Sequence, residues 1–403
     1  MGTRANGPDR SLITEVQIRN YKSLAQVVVP LDRLTVLVGP NGAGKSNFTD
    51  ALSFIADALN STLALALKQR GGIVAVRRIS EGRPNNFGLK VQIHLGRDKW
   101  ADFAFDVAAA AEGNFVVRRE RCRVRQLLQP DHVYEVQNGE FTIEVPGIRA
   151  QIEPDRLALP LLSAVPEFRP VFNFLSRMRF YSIAPERVRE IQDPDAGAIL
   201  RRDGSNAAAI LREMKRRSRD EYDRVCRLLS KIVPGVSSVE YFSIGQKDTL
   251  QFKQDVGTDS PWTFEALNMS DGTLRALGIL LAIYQPSTPA LVVVEEPEST
   301  IHPAAIDVLV QVLKDGAHRA QVLVTSHSPD LLDNKELSDE NIRAVECIRG
   351  RTIVSTIGEV SRESVRRKLY TMGELMRTGE LEPDRARASA LAQQLDLFGP
   401  LTP

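Results

Sequence analysis

The chain has 403 residues, 43% of them hydrophobic, with Lys+Arg 52 against Asp+Glu 51 for a formal net charge of +1. That length allows two or three domains around a large core, and the balanced charge excludes a polyelectrolyte, so nucleic-acid contact would have to come from a local patch. Cys122, Cys226 and Cys347 are scattered, which argues against a disulfide framework or a cysteine metal site and fits a reducing compartment. The polar opening MGTRANGPDR lacks the apolar stretch of a signal peptide. The longest apolar run, near residues 274–284, is too short to span a bilayer. A cytoplasmic protein without membrane contact is expected.

Residues 1–11 read as a disordered N-terminus, rich in Gly, Pro and charge. Residues 12–29 alternate apolar and polar about a turn at 20–22, which predicts a strand pair. The organising stretch is 35–50, TVLVGPNGAGKSNFTD: an apolar strand, a glycine-rich loop and a helix start. Gly39, Gly44, Lys45 and Ser46 occupy the G-x-x-x-x-G-K-S positions of a phosphate-binding loop. In such a loop glycines let backbone N–H groups curl around an anion at a helix N-terminus. Lys45 then reaches the β- and γ-phosphates and the Ser46 hydroxyl takes one Mg2+ position. Asn41, Gly42 and Asn47 complete the predicted nucleotide contacts. The plainer alternative, a tight structural turn, does not account for the strand before the loop and the helical run after it.

A helix follows over 47–68, with Phe48, Leu52, Ile55, Leu59, Leu63 and Leu67 at helical spacing, stopped by Gly71 and Gly72. Residues 73–190 read mainly as an antiparallel β insertion of short strands separated by turn residues. One of those strands carries Arg118, Arg119, Arg121, Arg123 and Arg125. They suit a phosphate-contacting face or, preferably, a charged edge strand. Residues 207–232 read as helix after the cap candidates Asp203, Ser205 and Asn206. Its basic run 212–219 is a solvated face or a nucleic-acid contact. Short strands follow over 239–251, and no heptad repeat supports a long coiled-coil arm.

Three further stretches carry chemistry. LNMSDGTLRALGILL (267–281) opens an apolar helix on a Ser-Asp-Gly turn; ALVVVEEPESTIHP (290–303) is a buried strand ending on two carboxylates; QVLVTSHSPDLL (321–332) is another, ending on His327. Sites of α/β sheets lie at the carboxyl ends of such strands. Cleaving a β–γ phosphate bond requires a metal clamp and a group that deprotonates water. Glu295 would face the metal, Glu296 would act as general base, and His327 would hydrogen-bond the γ-phosphate. Adjacent glutamates are more often surface charge, but not after LVVV and before Pro297.

GPNGAGKS, NMSDGTLR, VVVEEPE and TSHS together resemble the ABC-type ATPase fold, and QIRNYKSL with EEPESTIHP resembles its RecF/SMC/OLD-like branch, over about residues 12–358. The resemblance implies an α/β P-loop ABC-type ATPase head: a nucleotide lobe (12–72 and 282–360), the β insertion (73–190), a helical signature lobe (191–281) and a helical tail (361–403). It further implies ATP and Mg2+ as ligands and a homodimer in which Ser270 and Gly272 contact the γ-phosphate held by a second copy. It also implies a glutamine linking the lobes to Mg2+, for which Gln192 is the candidate. Departures from the pattern are Glu295 in place of the metal-binding Asp, and Asp271 and Thr273 within the signature. OLD nucleases carry a C-terminal nuclease domain, and the residues after 358 are too few for one.

Near the end, Gln394, Leu395, Asp396, Leu397 and Phe398 resemble the pentapeptide by which bacterial proteins dock on the replication sliding clamp. Packing of a last helix is the alternative. The expected function is an ATP-hydrolysing switch coupled to DNA, as in repair, or to a separately encoded nuclease or toxin, as in anti-phage defence. A nucleotide-gated scaffold is the rival, and a transporter ATPase subunit a distant third.

Overall fold

A computed structural model describes residues 10–80 and 84–400. The predicted disorder of residues 1–9 lies outside these. Arg10, by contrast, donates to the carbonyls of His318 and Arg319, and Ser11 to that of Leu95.

The strands in chain order are β1 (Leu12–Tyr21), β2 (Leu24–Pro30), β3 (Leu34–Val38), β4 (Asn86–Gly96), β5 (Lys99–Ala109), β6 (Phe115–Gln126), β7 (His132–Gln137) and β8 (Glu140–Ile143). They continue with β9 (Met178–Tyr181), β10 (Val236–Ile244), β11 (Lys247–Gln254), β12 (Trp262–Glu265), β13 (Leu291–Glu295), β14 (Gln321–Ser326), β15 (Ile342–Ile348) and β16 (Arg351–Ser355). One six-stranded sheet has the order β16-β15-β3-β14-β13-β9. It is parallel from β15 to β9, with β16 added as an antiparallel hairpin partner. A seven-stranded antiparallel sheet runs β2-β1-β4-β5-β6-β7-β8, and β10-β11-β12 form a small third sheet.

The parallel strands are apolar on both faces because both are covered, as the uninterrupted LVVV run required. Val36, Val292, Val294, Val322 and Val324 face one core with the helices Ala207–Arg217, Arg219–Ile232, Asp271–Tyr284 and Ile306–Ala317. Leu37, Leu291, Val293 and Leu323 face a second core containing the helix Lys45–Asn60 and the antiparallel sheet. The period-2 alternation of one short strand thus serves two cores at once.

The structure differs from the expected division in three places. First, β1 pairs with β4 from Leu12↔His94 to Arg19↔Gly88, so the first two strands and the segment after residue 73 make one sheet. Second, β9 pairs with β13 and belongs to the parallel sheet although it lies within 73–190. Third, the arginine strand β6 lies between β5 and β7, so it is not an edge strand. The helix expected over 47–68 breaks after Asn60 and restarts as Leu63–Lys68, capped by the Thr62 side chain accepting from Leu65 N. Likewise Ser218 separates the two helices of 207–232.

Candidate nucleotide site

The site is assembled at the carboxyl ends of β3, β14 and β13, three neighbours in the parallel sheet. The loop after β3 reaches the helix Lys45–Asn60 through Gly44, whose φ of 105 is open to glycine. A Cβ there would lie 2.1 Å from Thr352 Oγ1, which itself donates to Ala43 O. The backbone therefore presses against β16 where the helix begins. Lys45 is buried, and its Nζ donates to Gly39 O (2.7 Å) and Pro40 O (3.1 Å). Burial lowers its pKa, and the Glu296 and Glu298 carboxylates pull it back up, so the ammonium faces the acids at the end of β13.

Those acids differ in surroundings. Glu295 Oε1 accepts from Thr49 Oγ1 at 3.2 Å and lies 3.9 Å from Arg202 Nη2. Thr49 Oγ1 also donates to Ser46 O, which ties the β13 end to the first turn of the loop helix. Glu296 has φ 45, a left-handed conformation uncommon outside glycine. Its N–H donates to Thr325 O (3.0 Å), and its Oε1 lies 3.2 Å from His327 Nδ1. Glu298 is 7% exposed; its Oε1 accepts from Ser326 Oγ (2.6 Å) and His327 N (3.3 Å), while the buried Oε2 has no partner among the described residues. Arg275 donates to Glu296 O at 3.2 Å. Burial lowers its pKa against the opposing pull of Glu296, Glu298 and Glu186.

Lys45, Glu295, Glu296 and His327 are therefore brought together. Asn47 is directed to Ser23, its Nδ2 donating to Ser23 Oγ at 2.6 Å. Ser270 caps the helix Asp271–Tyr284 by accepting from Thr273 N. A Cβ on Gly272 would lie 2.5 Å from Thr300 O, so the signature turn abuts the loop that follows β13. Gln192 is a correction. It is buried at a bridge with Asp248, its Oε1 accepts from Ala208 N and its Nε2 donates to Val188 O. Both ends of the amide are taken up by backbone groups of the helices Pro185–Arg189 and Ala207–Arg217. The residues missed from sequence are Thr49, Arg202, Arg275 and Glu298. Of these, Glu298 had a local signal, two positions beyond Glu296 in the same loop.

Among the described residues no three His, Cys, Asp or Glu side chains form a metal cage. The Ser46 hydroxyl and the Glu295 carboxylate instead fit the hard oxygen donors of an Mg2+ that also binds phosphates. Residues 12–101 match the model of the "AAA ATPase domain", and residues 135–333 match that of the "AAA domain, putative AbiEii toxin, Type IV TA system". The chain has the fold of an ABC/SMC-type ATPase head. Within this chain, 68 residues are 38% identical to structural maintenance of chromosomes protein 1 of Schizosaccharomyces pombe, covering 15% of the chain and 6% of that protein. A 40-residue stretch is 52% identical to protein 1B of Mus musculus, covering 9% and 3%. The chain thus spans a small fraction of these relatives. An Smc head bound to the C-winged helix domain of ScpA superposes with TM-score 0.53 at 13% identity, over 87% of this chain and 99% of that chain. An Smc head with an extended coiled coil bound to the C-terminal domain of ScpA, derived from Pyrococcus furiosus, gives TM-score 0.50 at 12% identity, over 89% and 99%. At such identities the likeness concerns the fold. No helix among the described residues is long and apolar enough to cross a membrane.

The other sequence candidates are placed elsewhere. Four of the five β6 arginines are paired, Arg119 and Arg121 with Glu135, Arg123 with Asp131, and Arg125 with Asp102, while Arg118 is exposed. Within 212–219, Arg212 pairs with Asp248, Lys215 with Glu240, Arg216 and Arg217 with Glu213, and Arg219 with Asp223. The C-terminal pentapeptide lies on the antiparallel sheet, with Leu397 buried.

Proposed function

We propose that the chain is an ATP-hydrolysing switch: ATP closes two copies into a homodimer, hydrolysis reopens them, and DNA or a separate effector responds to the cycle. The observation carrying this reading is the convergence of Lys45, Glu296, Glu298 and His327 at adjacent strand ends. In this reading the loop amides, Asn41, Gly42, Gly44, Lys45 and Asn47 hold the phosphates. Glu296 takes the proton of a water attacking the γ-phosphorus; the bond from that phosphorus to the bridging oxygen breaks, and ADP leaves with the electron pair. His327 hydrogen-bonds the γ-phosphate, and Glu298 positions it through its backbone N–H. Ser46 and Glu295 would hold Mg2+, which would supply positive charge against the phosphates. Ser270 and Gly272 reach the ATP of the second copy. The paired arginines of β6 and the paired run 212–219 weigh against those faces as DNA contacts. The "putative AbiEii toxin" description of the matching model supports a defence role with a separate effector over repair.

The deciding experiment measures Mg2+-dependent ATP turnover and particle mass for wild type and Glu296→Gln. Turnover should fall about 10²–10⁴-fold in the variant, with ATP-bound dimer accumulating. A wild type without ATPase activity, or a variant as active as wild type, refutes the switch. A nucleotide-gated scaffold is the second reading, favoured by the engagement of Glu295 with Thr49 and its closeness to Arg202. ATP-dependent dimerisation with near-zero turnover in wild type would select it.

A further inference from the structure

The last turns of the chain form a strap held at few points. From residue 385 to residue 400 only Leu397 is buried, and the helix Arg385–Gln393 buries no side chain. That helix is tethered by Arg385, which donates to Glu346 Oε2 and Oε1 at 3.0 and 2.8 Å. Beyond it the chain settles on the antiparallel sheet in a seat built for it. Leu397 fills the space over Gly88, where a Cβ would lie 2.3 Å from Leu397 Cδ1. The Phe398 ring lies over the Arg119 guanidinium, 4.4 Å from it. Arg121 donates to the carbonyls of Phe398 and Gly399, and Lys90 to that of Asp396 at 3.2 Å. Asp396 Oδ1 accepts from the amides of Phe398 and Gly399 at 3.1 and 2.8 Å, which holds the segment in a turn.

This seat reads main-chain carbonyls with cations and takes one apolar side chain, as peptide-recognition surfaces do. We propose that residues 394–399 are a linear motif docked in cis, released as a unit and then taken by a partner with an apolar pocket for adjacent Leu and Phe side chains. Two features of the strap support release. A segment with one buried side chain opens far more readily than the strands beneath it. The seat also uses the very side chains, Leu397 and Phe398, that such a pocket would take, so the docked and partner-bound states exclude each other. Docking in cis then lowers the apparent affinity of the partner by the released fraction. This inference stands apart from ATP hydrolysis, because none of the seat residues lies at the nucleotide site.

The test uses the full chain, a bacterial sliding clamp as the probe with a suitable pocket, and hydrogen exchange over 385–399. Two variants change the seat and leave the motif intact: Arg119→Ala, which removes the platform under Phe398, and Gly88→Val, which fills the place of Leu397. Both should speed exchange at 394–399 and raise clamp affinity about tenfold, as expected if the released fraction is near one in ten. Adding Leu397→Ala should abolish clamp binding, and ATP turnover of Arg119→Ala should match wild type. Should Gly88→Val fail to fold, Arg119→Ala alone decides. Clamp affinity unchanged in Arg119→Ala, clamp binding absent throughout, or exchange at 394–399 as slow as in β4–β6 overturns the proposal.

Discussion

On β6, Arg119 and Arg121 converge on Glu135, which is nearly fully buried, and Arg123 and Arg125 reach Asp131 and Asp102 across neighbouring strands. At the carboxyl ends of β3, β13 and β14 the same kinds of group are left partly unmatched. Lys45 is held by carbonyls of its own loop, Glu298 Oε2 is buried without a partner among the described residues, and Glu296 sits at φ 45. These β6 charges are ion-paired, although Arg119 Nε and Asp102 Oδ1 lack a hydrogen-bond partner among the described residues, and a paired buried network specifies a fold. Groups held away from their best partners mark the place where a ligand completes them. Arginine density alone would have directed attention to β6, whereas the unpaired carboxylate oxygen of Glu298 and the left-handed backbone of Glu296 direct it to the strand ends.

The largest test of this contrast is Lys45→Ala. If Lys45 stabilises charge on transferring phosphate, turnover should fall by about 10³-fold while the thermal midpoint stays near that of wild type. A variant that unfolds without a matching loss of turnover per folded molecule would make Lys45 another structural cation and erase the distinction. Glu135→Ala probes the opposite side. It strands Arg119 and Arg121 in the sheet, and breaking a buried pair costs about 3–5 kcal/mol, read by chemical denaturation. ATP turnover per folded molecule should not change, and a parallel loss of both would show that the two sheets are functionally coupled. Glu298→Ala is smaller again. It removes the acceptor for Ser326 Oγ and His327 N, and hydrogen bonds to a charged group contribute about 1.5–3 kcal/mol. Turnover should fall about 10- to 100-fold, with a modest change in stability. Retained turnover would assign Glu298 to the fold.

The same contrast explains what was legible in the sequence. The phosphate loop, the apolar strands and the acids and imidazole at their ends are local patterns, so Lys45, Glu295, Glu296 and His327 could be named from spacing alone. Pairings that depend on cross-strand register could not. Arg119 meets Glu135 because β6 and β7 pair as Arg121↔Glu135, and nothing within either strand announces that register. For the same reason the union of β1 and β4 was hidden, since it joins residues far apart in sequence. Gln192 was the candidate for a glutamine that the family resemblance implies, yet its amide is taken up by Ala208 N and Val188 O beside the bridge to Asp248. The terminal pentapeptide was recognisable, but the vacancy over Gly88 that receives Leu397 belongs to a strand in another part of the chain.

The smallest test compares two carboxylates of the same sheet. Burial would raise the Glu135 pKa, but hydrogen bonds from Arg119, Gln137 and Arg121 outweigh it and hold the group at about 2. Burial raises Glu120 to about 7, against the hydrogen bonds it accepts from Ala158 N, Tyr134 Oη and Leu159 N. The two therefore contribute to stability with opposite signs. The Glu135 contribution is present above its ordinary value of 4.5 and is lost as pH falls through about 2. The Glu120 contribution is present below 4.5 and is lost as pH rises through about 7, because the unfolded chain then ionises a group that the fold prefers to keep protonated. Between pH 5 and 8 this loss should amount to about 2 kcal/mol. Glu120→Gln cannot titrate, so the difference between its unfolding free energy and that of wild type should move in its favour by that amount across the same range. A difference independent of pH would mean that the three donors keep Glu120 ionised throughout. It would then behave as Glu135 does, a charge matched by its surroundings.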